Sequence, residues 1–88
     1  GLAVDVQLLE EDCIDQELKN LLHKVRDAIY YSDPMTNESV ASIDEMIKSK
    51  ITELKYLCQN NNKNEAMQVC YKLQAYIKER NSKLMLTK

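Results

Sequence analysis

The sequence predicts an all-α domain, and three observations carry that expectation. Apolar residues recur at steps of three and four over most of the chain, the spacing that lines one face of a helix. The only glycine is Gly1, so no internal position has the freedom at positive φ that tight β-hairpins usually call on. The one proline, Pro34, and the asparagines at 60–62 fall between the periodic stretches. At 88 residues the chain can close one modest core and no second. The architecture expected is a three-helix antiparallel bundle running up-down-up, preceded by a short irregular N-terminal leader.

The leader is assigned to residues 1–11. There Leu2, Val4, Val6 and Leu8 alternate with Ala3, Asp5 and Gln7, a two-residue period that suits a strand. The helices claim the rest of the chain and leave no second strand to pair with it. The segment is therefore read as a flexible leader, or as an arm that docks on a partner's sheet edge or on a neighbouring copy.

The first helix is placed at about 12–31, where Ile14, Leu18, Leu21, Leu22, Val25, Ala28 and Ile29 share a face and Asp12 serves as the N-cap. Pro34 ends it, since its ring disfavours the α conformation at Asp33 and it offers no amide hydrogen. The second helix, about 37–60, rests on Val40, Ile43, Ile47, Ile51, Leu54, Leu57 and Cys58, with Thr36 or Asn37 as its cap. Asn60, Asn61 and Asn62 then supply the left-handed residue a helix end often needs, and Asn62 with Glu65 resembles a capping box for the next helix. The third, about 63–85, carries Ala66, Val69, Cys70, Leu73, Tyr76, Ile77 and Leu84 on one side. Arg80 interrupts that series, so the seam is expected to open to solvent there. No internal repeat is evident.

Composition narrows the chemistry. Without internal glycine, phosphate-cradling loops, dinucleotide turns and nucleophile elbows are excluded. Cys13, Cys58 and Cys70 form neither a disulfide framework nor a zinc motif, and free thiols used as small apolar residues point to a reducing, cytoplasmic setting. Cys13 and Cys58 fall near the same end of an up-down-up bundle, which makes a redox staple the sharper alternative to packing thiols. His23 is the only imidazole; a phosphorelay role would need room beside it that His23-Lys24-Val25-Arg26-Asp27 does not provide. The acidic run Glu10, Glu11, Asp12, Asp15 and Glu17 lacks the glycine of a calcium loop and reads as a solvated helix N-terminus. No apolar run approaches membrane-spanning length, and the opening residues lack the cationic start of a signal peptide. Gly1 where an initiating Met would stand reads as processing, or as an excised piece of a longer protein.

Charge divides along the chain, with residues 1–44 at net −7 and residues 45–88 at net +5. The basic set Lys63, Lys72, Lys78, Arg80, Lys83 and Lys88, interleaved with Tyr71 and Tyr76, gives one functional expectation: a small regulator that binds nucleic acid through its C-terminal helix. The leading expectation is a noncatalytic helical protein–protein interaction module, with self-association into a homodimer included. Met35, Met46, Met67 and Met85 supply adaptable surface for it. No catalytic, cofactor-binding or metal-ligating residues are singled out, no small-molecule substrate or membrane partner is expected, and no particular partner-binding residue is assigned.

Overall fold

A computed structural model describes residues 1–88 and is all-helical, with no strand. It has four α-helices rather than three: α1 (Leu2–Asp12), α2 (Gln16–Tyr30), α3 (Ala41–Gln59) and α4 (Lys63–Leu86), with a 3₁₀ turn at Glu38–Val40 before α3. The leader expectation is therefore corrected. Residues 2–12 are helix, and the inward face of Leu2, Val6 and Leu9 continues into the capping residue Cys13; Val6 is fully buried and the other three pack partly against the core. That spacing of four, three and four is helical. The alternation in the sequence arises because Val4 and Leu8, 53% and 55% exposed, are apolar residues on the solvent side.

The start of the next helix is corrected too. Asp15 rather than Asp12 caps α2, its side chain accepting from the Leu18 amide at 2.9 Å. Ile14 thus leaves the helical face where the periodicity had put it and stands in the three-residue link, 97% exposed. Between α2 and α3, Asn37 caps the 3₁₀ turn by accepting from the Ser39 amide at 2.9 Å. At the second hairpin Asn61 adopts φ 57°, with Asn62 N–H donating to Leu57 O and Asn61 N–H to Cys58 O, which is the paired closure of a Schellman end. Asn62 makes no side-chain cap for α4, so the expected capping box does not form.

Ion pairs fix the directions. Lys63 at the start of α4 meets Asp15 and Glu17 at the start of α2, and Arg80 near the end of α4 meets the segment after α2, so those two helices run parallel. Each is antiparallel to its hairpin partner. α1 packs on α2 and α3, α4 packs on the same two, and the pairs α2–α3 and α1–α4 lie across the diagonals, where the backbones do not approach closely. The result is a four-helix bundle, 41 × 19 × 19 Å, made of two helical hairpins, in which the chain from Tyr31 to Val40 crosses the diagonal at one end. All 17 buried residues are apolar, centred on Leu22, Val25, Ile51, Leu54, Cys70 and Leu73.

Arg80 corrects a further expectation. The seam does not open at this position: its side chain is 11% exposed and Leu84 beyond it 1%. The guanidinium donates from Nε to Asp44 Oδ1 at 2.6 Å and from its two terminal nitrogens to the carbonyls of Asp33 at 2.8 Å and Met35 at 2.7 Å. It ties the crossing segment to α3 and α4, and only a planar fork with several donors can serve those acceptors together.

Candidate functional site

The two hairpin links, Cys13-Ile14-Asp15 and Asn60-Asn61-Asn62, lie at the same end of the bundle, since both begin a downward helix. Between them is a cleft of about 650 Å³. Leu9, Leu18, Leu57, Cys13 and Cys58 form its apolar wall, and Asp12, Asp15, Asn61 and Lys63 are among the polar groups at its rim. Ile14 lines it as well and turns almost its whole surface to solvent.

The rim is electrostatically organised. Lys63 Nζ sits 3.0 Å from Asp15 Oδ1 and 3.0 Å from Glu17 Oε1. The Leu18 amide first, then Lys63, hold the Asp15 carboxyl below its ordinary value, while Glu17 and Asp15 push the Lys63 ammonium up. Lys63 is thus committed to two acids, and Asp12 leaves the rim with an excess of negative charge.

All three thiols are free: Cys13 in the first link and Cys58 near the end of α3 line the cleft, and Cys70 in α4 is buried in the core. Burial is the main reason each is hard to ionise. The Cys58 thiol is pushed up to about 11 and Cys70 to about 12, and Cys13 is also raised, though it donates to Asp15 O at 3.4 Å. Protonated thiols of this kind are weak nucleophiles and weak metal ligands, so packing describes them better than reactivity. No group of three or more His, Cys, Asp or Glu side chains is placed to hold a metal ion.

His23 joins α2 to α1. Its Nδ1 is 2.9 Å from Glu10 Oε2 and its Nε2 3.3 Å from Asp27 Oδ2, so carboxylates face both ring nitrogens. A phosphoryl group would approach against two negative charges. Glu10 through Asp12 belong to the C-terminal end of α1, the unfavourable end for acids, which corrects their reading as a helix N-terminus; Asp15 and Glu17 alone stand at one. Glu10 is hydrogen-bonded to His23 and faces Arg26, whose Nε is 3.7 Å from Glu10 Oε1.

Of the basic set, Lys63, Arg80, Lys83 and Lys88 are in ion pairs with acids of the same chain, which leaves Lys72 and Lys78 without one. Tyr71 is exposed and Tyr76 packs partly against the core. At the far end Tyr30, Tyr31, Met35, Met85 and Leu86 are exposed. Of the four methionines Met67 is packed against the core, while Met35, Met46 and Met85 are exposed.

Sequence reasoning missed the cleft because it put Ile14 inside a helix. The signal was available: Asp15 followed by Gln16 and Glu17 is as good a helix start as Asp12, and choosing it frees Ile14. Compared with protein-family models, curated proteins and solved structures, the chain matches none.

Proposed function

We propose that the chain is a noncatalytic helical protein–protein interaction module of the cytoplasm, and that it binds through the cleft between its two hairpin links. The observation that carries this reading is Ile14, an aliphatic side chain 97% exposed at the mouth of a cleft walled by Leu9, Leu18 and Leu57. A partner's aliphatic side chain set into that cleft would remove its own apolar surface and that of Ile14 from water together, worth about 25 cal/mol per Å². The acidic excess of the rim favours a partner whose anchor is flanked by Lys or Arg, and it disfavours two copies meeting cleft to cleft. Free protonated thiols agree with a reducing compartment. No helix is long and apolar enough to cross a membrane. Nucleic-acid binding through α4 is the weaker reading, because most of its basic groups already serve intramolecular pairs.

A photoreactive side chain at position 14, with Ser49 on the exposed face of α3 as the control position, tests it in extract of the native cell. The expected result is an adduct with one protein species from position 14 that position 49 does not form, mapped to an aliphatic residue beside basic ones. The same adducts from both positions, or none from position 14, would overturn the assignment.

A further inference from the structure

We infer that α1 is an exchangeable helix, and that the seam it fills on α2 and α3 is also the docking site for α1 of a second copy of this chain. The seam is chemically matched to an acidic amphipathic helix. It receives Val6 into the core, pairs Lys55 Nζ with Asp5 Oδ2 at 3.3 Å, and sets His23 and Arg26 against Glu10. α1 of another copy carries the same groups at the same spacing and fits the same seam.

Three features make the exchange open to this helix in particular. At 11 residues, with Gly1 giving no side-chain cap, α1 is too short to be stable unless its inward face is covered, and only Val6 of that face is fully buried. Its hold on the seam is loose at one point, where Glu10 Oε1 and Arg26 Nε face each other at 3.7 Å, both buried and neither hydrogen-bonded, so little is lost there when α1 lifts away. The link to α2 reverses the chain through extended residues rather than a tight turn: Cys13 has φ −84° and ψ 123°, Asp15 φ −67° and ψ 120°. Extended residues can also carry the chain straight across to a neighbour, with α1 then reforming every contact it had. The exchange is reciprocal and two-fold, and so it closes.

The inference goes beyond the cleft reading and needs no foreign partner. Equal amounts of ¹⁴N and ¹⁵N chain are unfolded together, refolded over a range of concentrations and treated with a carbodiimide, which joins Asp5 to Lys55 as an amide. Exchange predicts that light–heavy Asp5–Lys55 peptides appear and rise with concentration, towards roughly half of the total by random pairing. Asp5–Lys55 peptides that stay purely light or purely heavy at every concentration overturn it. A chain that gives no mixed peptide but forms the specific adduct at position 14 loses the exchange and keeps the proposed function; mixed peptides without that adduct give the reverse.

Discussion

Replacing Val6 by Ala tests whether residues 2–12 are a docked helix or a loose leader. Val6 is the one fully buried residue of α1 and is in the main core cluster. The substitution removes two buried methyl groups, worth about 1.6 kcal/mol of transfer at ~0.8 kcal/mol each, with a further contribution from the cavity left behind. Alanine is the better helix former by about 0.5 kcal/mol, which offsets part of the loss. The net cost is about 1.5–2 kcal/mol, or a melting temperature lower by roughly 6–16 °C for a domain of this size. Val4 is on the same helix but 53% exposed, so Val4→Ala loses little burial and keeps the propensity gain; it should leave stability unchanged or raise it by up to about 0.5 kcal/mol. Thermal unfolding followed by far-ultraviolet circular dichroism reads both variants. A leader that is irregular, or a strand docked elsewhere, has no reason to separate these two valines. Equal effects at positions 4 and 6 would refute the docked helix and the exchange argued from it.

Arg80→Lys should cost about 1–2 kcal/mol in urea unfolding, because one ammonium cannot serve Asp44 and two carbonyls at once, and amide exchange should accelerate over residues 33–37; an unchanged midpoint would show that the crossing segment is held by other contacts. The Asp15 and Asp33 carboxyls are both held below the ordinary aspartate value of 3.8, Asp15 by the Leu18 amide before Lys63 and Asp33 by Lys88 before the Met35 amide. Their charged forms therefore stabilise the fold fully above that value, and the contribution is lost as pH falls below it through the lower folded-state values. The stability difference between the wild type and Asp15→Asn should be constant above about pH 5 and shrink below about pH 3.8; a difference that persists at pH 2 would mean the cap does not depend on charge.

Helical periodicity in the sequence is strong enough to show where α2, α3 and α4 bury their faces, because each has five or more apolar residues in register along at least four turns. α1 failed that reading for a physical reason. Its short inward face is mixed with exposed Val4 and Leu8, and over eight residues a helical stripe with apolar neighbours can look like a strand. Arg80 failed it as well, since a charged residue in an apolar series signals an opening unless acceptors wait for it, and the acceptors come from Asp33, Met35 and Asp44, some 36 to 47 residues away.

By itself the sequence determined the helical class and the breaks at Pro34 and at the asparagine cluster, where backbone chemistry is local: a missing amide hydrogen in one, a tolerated left-handed residue in the other. Only the tertiary structure decided that there are four helices, that α2 and α4 run parallel, and that Ile14, Cys13 and Cys58 meet at one cleft. Those facts depend on which hairpin faces which, a matter of burial and pairing between distant segments that no local spacing encodes.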